Sequence, residues 1–146
     1  MRKTALAIAA TASIAVAGIS APLAEASGGL HVTVSPTKPA VGQTVKIKGT
    51  GAIKNYKHYI CILAIDKPGV TPGASLGDIN DNVNASSNAQ GVVRCKLPFL
   101  PFKGIYKGKS ISCPPTKAQK RQGWYCGAAI ANLNNHKQFK IGRFTF

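Results

Sequence analysis

Apolar side chains along this sequence fall at alternate positions, in short runs broken by Gly, Pro and Asn. Thr44-Val45-Lys46-Ile47-Lys48 is the clearest run. Val45 and Ile47 share one face, and Thr44, Lys46 and Lys48 share the other. No stretch beyond the N-terminal segment convincingly places apolar residues at i, i+3, i+4 and i+7, the spacing a helix needs to bury one side. The chain therefore has to bury its apolar surface between sheets.

The pattern predicts a short strand at His31–Ser35, ended by Pro36, and a second at Thr44–Lys48. Tyr56–Ile65 is the longest apolar run after the N-terminal segment and predicts a central strand covered on both faces. Residues 68–90, rich in Gly, Asn, Ser and Asp, predict a long connection with one short edge strand around Asn84. Gly91–Leu97 resumes as a strand. Pro98 and Pro101 bracket an extended, poorly paired piece, and Ser110–Cys113 is a strand stub. Residues 114–123 predict a basic loop, Trp124–Leu133 a strand, Asn134-Asn135 a turn, and Phe139–Phe146 the last strand. About seven short strands with regular turns is the pattern of an all-β, antiparallel β-sandwich.

The N-terminus has another character. Arg2 and Lys3 precede an Ala-rich, uncharged run from Thr4 to Ile19, and Ala24-Glu25-Ala26 offers a small-residue cleavage site. That is the form of an export signal over residues 1–26, too short in its apolar run for a membrane anchor. The expected mature chain, 27–146, is one domain's worth of sequence. All four cysteines lie in it, and an even count in an exported chain implies two disulfides. Cys113 and Cys126 flank one loop between strands expected to be neighbours, which pairs them and leaves Cys61 with Cys95. Neither pair has the tight spacing of a zinc site.

Charge is one-sided. Of 19 Lys and Arg and four Asp and Glu, the export segment takes Arg2, Lys3 and Glu25, leaving 17 basic and three acidic side chains. Such a field repels itself and attracts polyanions, either DNA or an anionic cell envelope. Basic residues interleave with aromatics in three sets. Lys54 and Lys57 neighbour Tyr56 and Tyr59; Lys103, Lys107 and Lys109 neighbour Tyr106; Lys117, Lys120 and Arg121 neighbour Trp124 and Tyr125. These eight cations are the candidate polyanion contacts. With no Glu in the mature chain and three His in unrelated segments, the sequence predicts no enzyme, no metal site and no cofactor. Asp78-Ile79-Asn80-Asp81-Asn82 departs from a calcium loop at Val83 and Ala89 and reads as a turn.

In order along the chain, several segments resemble the neocarzinostatin family, the apoproteins of enediyne chromoprotein antibiotics. They are Val32-Thr33-Val34-Ser35-Pro36, Gly42–Gly51, Tyr59-Ile60-Cys61 with Asp66, the strand after Gly91, Phe102–Gly108, Cys113 with Cys126, and Phe144-Thr145-Phe146. The resemblance implies a seven-stranded immunoglobulin-like sandwich and a cleft that protects a labile, DNA-cleaving chromophore. It places the cleft at Leu63, Tyr106, Gly127 and Ala131. Of the family's tryptophan, phenylalanine, glutamine and serine at those places, only the phenylalanine has a fair match, in Tyr106. The family's first disulfide is a local hairpin and its members are acidic; this chain departs on both. The expectation is a secreted, monomeric, basic binding protein with an antimicrobial or cytotoxic role, carrying a small apolar ligand and associating with DNA. The alternative is a ligand-free cationic module for anionic envelope or host polyanions.

Overall fold

The computed structural model describes residues 29–69 and 76–146; the expected export segment lies outside them. Strands β1 (His31–Ser35), β2 (Thr44–Thr50) and β5 (Val93–Pro98) form a three-stranded antiparallel sheet in the order β1-β2-β5. Strands β3 (Tyr59–Asp66), β4 (Leu76–Ala85), β8 (Tyr125–Asn132) and β9 (Asn135–Arg143) form a four-stranded sheet, β4-β3-β8-β9. Those two sheets are the seven-stranded immunoglobulin-like sandwich. A separate hairpin joins β6 (Phe102–Tyr106) to β7 (Lys109–Cys113), and a short helix α1 (Lys117–Arg121) precedes β8.

The core follows the alternation. Val45 and Ile47 point inward from β2 while Thr44, Lys46 and Lys48 are exposed. Val93 and Leu97 do the same from β5, and Tyr59, Cys61, Leu63 and Ile65 from β3. Ala128 and Ile130 of β8 complete the inner layer. Gly49 lets the sheets approach: a Cβ there would collide with Ile130 Cδ1. Cys61–Cys95 staples β3 to β5 across the sandwich, and Cys113–Cys126 ties the hairpin to β8, as the spacing predicted. At one end a buried polar network replaces apolar packing. The Tyr59 hydroxyl donates to Gln138 Oε1 (2.8 Å) and accepts from Ile53 N (2.9 Å), and Asn132 Nδ2 donates to the same Gln138 oxygen (3.0 Å).

Five expectations change. Where one short edge strand was expected around Asn84, β4 runs from Leu76 to Ala85 and pairs along β3; its polar sequence is that of an edge strand with one wet face. Asp78–Asn82 therefore lies in a strand, not a turn. The segment after Pro101 is well paired, because Lys107 and Gly108 both take positive φ and turn β6 onto β7. The expected basic loop contains α1, closed by a capping box. Thr116 Oγ1 accepts from Gln119 N (3.1 Å), and Thr116 N donates to Gln119 Oε1 (3.0 Å). The last strand begins at Asn135, earlier than Phe139, and ends at Arg143. The central strand is also less covered than expected: one face of β3 is fully buried and the other only partly.

The two disulfides close chain segments of 34 and 13 residues. In the chain-entropy account, Cys61→Ala/Cys95→Ala should cost about 4 kcal/mol and Cys113→Ala/Cys126→Ala about 3 kcal/mol. Urea unfolding of both double variants beside the parent checks the order, with the larger drop in midpoint expected for the first.

Candidate functional site

Register determines which side chains share the outer face of the four-stranded sheet. Across β3, β8 and β9 the rows read Ile62–Ala129–Ile141 and Ile60–Ala131–Phe139, followed toward the other end by Ala64–Gly127–Arg143. The middle strand contributes only Gly127, Ala129 and Ala131. The flanking strands contribute Ile60 and Ile62 on one side and Phe139 and Ile141 on the other, all partly open to solvent. Small residues between large ones set a shallow apolar trough along β8, its floor buried at Gly127 and Ala129 and partly open at Ala131. The β6–β7 hairpin does not roof it. Gly104 sits against Leu76, whose register partner Ile65 faces the core, and Cys113 bonds Cys126 on that same inner side.

One end of the trough is polar. The Arg143 guanidinium lies 4.1 Å from the centre of the Tyr125 ring, and the Tyr125 hydroxyl points at Asp66 Oδ2 (3.5 Å). Asp66 Oδ1 is buried without a hydrogen-bond partner. Beyond Tyr125 a cleft of 340 Å³ opens among Lys120, Trp124, Tyr125, Arg143, Phe144 and Phe146. Its volume is within the range of small-molecule sites. Of the basic-aromatic set around Trp124 it brings together Lys120, Trp124 and Tyr125, but not Lys117 or Arg121.

The cleft residues inferred from the sequence separate. Gly127 and Ala131 stand on the trough floor. Leu63 does not: it is completely buried on the opposite face, opposite Ala128. Side chains alternate along a strand, so the β3 residues that reach the trough are its neighbours Ile62 and Ala64, together with Ile60. Tyr106 is also elsewhere, at the tip of the hairpin, edge-on to Trp124 at 5.2 Å. Trp124 and Tyr59 are both buried and serve packing.

The eight sequence-assigned cations are all exposed, in two groups. Gln119 ties α1 to the hairpin through Ser112 and Ser110. That contact gathers Lys103, Lys107 and Lys109 with Lys117, Lys120 and Arg121 at the end where β8 begins. Lys54 and Lys57 flank Tyr56, whose hydroxyl donates to Asn132 at the end where β8 finishes. They belong to a separate patch. Missed in the sequence were the trough walls Ile60, Ile62, Phe139 and Ile141; the apolar alternation around them was the available signal. Among the described residues, no three His, Cys, Asp or Glu side chains gather, and no helix is long and apolar enough to cross a membrane.

No protein-family model matches the sequence, and no curated protein matches it. Among solved structures the chain is similar to macromomycin, with a TM-score of 0.59 and 20% sequence identity, covering 81% of this chain and 99% of that one. The chain has the macromomycin fold. Macromomycin is a neocarzinostatin-family apoprotein, so the architecture implied by the resemblance is the one the chain adopts.

Burial raises the Tyr125 phenol above its ordinary range, and the Asp66 carboxylate adds to the effect against the opposing charge of Arg143. Burial also raises Tyr59, against its hydrogen bonds to Ile53 and Gln138. Both phenols hold their protons more tightly folded than unfolded. Their contribution to stability is full below the unfolded value of about 10 and is lost as pH rises through the folded values. Urea midpoints taken from about pH 9 upward should therefore fall, and the fall should be shallower in Tyr125→Phe.

Proposed function

We propose that this chain is an exported, non-enzymatic binding protein that holds a small apolar ligand in the trough of Gly127, Ala129 and Ala131. The observation that carries this reading is the row of small residues on β8 between large apolar ones on β3 and β9. An apolar floor with a few polar groups at one end is how small-molecule sites combine affinity with orientation. Arg143, Tyr125 and Asp66 would supply that orientation. The macromomycin-like fold and the neocarzinostatin resemblance support a carrier over a catalyst. So does the scarcity of acid and base groups, with three Asp and no Glu after residue 26. The signal-like N-terminus and the two disulfides support secretion. Carriage of a cytotoxic ligand to DNA or to a bacterial envelope would give the protein an antimicrobial role, with the cations of the hairpin and α1 making the first contact.

A second reading is favoured by the charge alone: the sandwich binds anionic polymers and carries nothing. Intact mass and absorbance of the protein purified from its native culture medium separate the two. A carried molecule adds mass beyond the disulfide-bonded chain and absorbance beyond the aromatic band.

The trough itself is tested with a neutral solvatochromic dye, which avoids simple attraction to the positive surface. The parent should bind the dye saturably. Ala131→Trp, which fills the floor at a partly open position, should weaken binding roughly tenfold or more, the loss of one well-filled apolar subsite, with the melting temperature kept. Unchanged binding in that variant would remove the trough as the site.

A further inference from the structure

The outer face of the three-stranded sheet has a different chemistry. Register places Thr33 opposite Lys48 and Lys48 opposite Arg94; the next row is Ser35, Lys46 and Lys96. All six side chains are exposed. Neighbouring strands lie about 4.8 Å apart and alternate residues along one strand about 6.8 Å apart. Four cations thus occupy the corners of a rectangle of about 5 by 7 Å at the backbone. A shallow depression of 470 Å³ lies among them, with Thr33 and Ser35 at its side.

No carboxylate stands on this sheet. The acids among the described residues, Asp66, Asp78 and Asp81, are all on β3 and β4. Like charges directly opposite on neighbouring strands destabilise a sheet, and here two such pairs, Lys48–Arg94 and Lys46–Lys96, are adjacent. Solubility needs far less charge than the chain carries, and alternating signs would serve it at lower cost. The array lacks a counter-charge within its own sheet.

We propose that this face binds a linear phosphodiester polymer of an anionic cell envelope, a thin alditol-phosphate chain laid along β2 and β5. Its phosphates meet Lys46, Lys48, Arg94 and Lys96, and the hydroxyls of Thr33 and Ser35 donate to phosphate oxygens beside them. Shape selects this partner. The face has no Phe, Tyr or Trp, and its one ring, His31, stands in the row of Thr50 beyond the four cations, so the run of stacking platforms that holds single-stranded nucleic acid is missing. A double helix is a convex cylinder that meets a flat face along one ridge of phosphates, leaving half the array unused. A thin flexible chain reaches both rows. None of these four cations belongs to the groups on the hairpin, α1 or the Tyr56 turn, and the inference does not depend on the trough holding a ligand.

The test measures binding of the purified protein to lipid-free poly(glycerol phosphate) across a series of salt concentrations. Four phosphate contacts should give a slope of log affinity against log salt of about −2.8, at ~0.7 per contact on a single chain. Lys46→Gln/Lys96→Gln should halve the slope to about −1.4 and weaken low-salt binding roughly tenfold or more. Lys48→Gln/Arg94→Gln should do the same, which guards against a folding defect in either variant. Lys46→Arg/Lys96→Arg should bind like the parent, and so should Lys137→Gln/Lys140→Gln, which removes two exposed cations of β9. Three results would each overturn the proposal: unchanged binding in both Gln pairs, an equal loss in the Lys137→Gln/Lys140→Gln variant, or tighter binding of duplex DNA than of the polymer through these four residues.

Discussion

The pairing of β3 with β8 runs unbroken from Tyr59–Asn132 to Asp66–Tyr125, and both faces of the molecule depend on it. On the inner side it aligns Cys61 with Ile130, Leu63 with Ala128 and Ile65 with Cys126, so that each row sets a large side chain against a smaller one. On the outer side it aligns Ile62 with Ala129 and Ile60 with Ala131. The same choice of small residues on β8 therefore does two things. It lets Leu63 pack fully inside, and it leaves a floor outside. A register slip of one residue would exchange the faces, bringing Ile60 and Ile62 into the core and exposing Leu63 and the disulfide-bonded Cys61. Cys61–Cys95 blocks that slip by holding β3 to the opposite sheet.

Much of this was legible in the sequence because burial in a sheet has period two. Val45 and Ile47 on β2 show it most cleanly, and the disulfide pairing followed from one short loop and elimination, although the strands of Cys113 and Cys126, expected as neighbours, lie in different sheets. What failed to show was local or two-sided. The polar segment around Asp78–Asn82 resembles a loop because its outer and inner neighbours are both weakly apolar; only its pairing with β3 makes it a strand. The helix at Lys117–Arg121 is too short for a periodic signal, yet the Thr116 to Gln119 spacing of its capping box was present. Leu63, expected in the cleft, falls one position off the outer face of β3. Counting from Cys61 put Leu63 in it, but Cys61 faces inward here, toward Cys95, and every second residue after it does so too.

Charge is arranged with the same two-sidedness. The acids sit on β3 and β4, close to the trough and its Arg143–Tyr125–Asp66 end, while β2 and β5 present Lys46, Lys48, Arg94 and Lys96 with no counter-charge on their sheet. Self-repulsion of this kind works against folding, and a domain of this size has only some 5–15 kcal/mol of net stability to set against it. Two disulfides that together constrain the unfolded chain by several kcal/mol offset that repulsion. The staple between the sheets and the charge on the outer face of one of them are thus parts of a single balance.

That balance also separates what the two sheets can do. The four-stranded sheet keeps its outer face partly apolar and nearly free of Lys, so a neutral or weakly polar molecule meets little desolvation penalty there. The three-stranded sheet ringed by Lys46, Lys48, Arg94 and Lys96 offers charge and hydroxyls, and affinity for a polymer on it would come from counterion release. The sandwich core lies between, filled by Tyr59, Leu63, Ile65 and Ile47, all essentially inaccessible. A closely packed interior transmits little when a flexible polymer settles on one surface without moving its strands. The trough and the cationic face are therefore independent surfaces held on one rigid frame, and either could change in sequence without disturbing the other so long as the inner rows of β2, β3, β5 and β8 remain apolar.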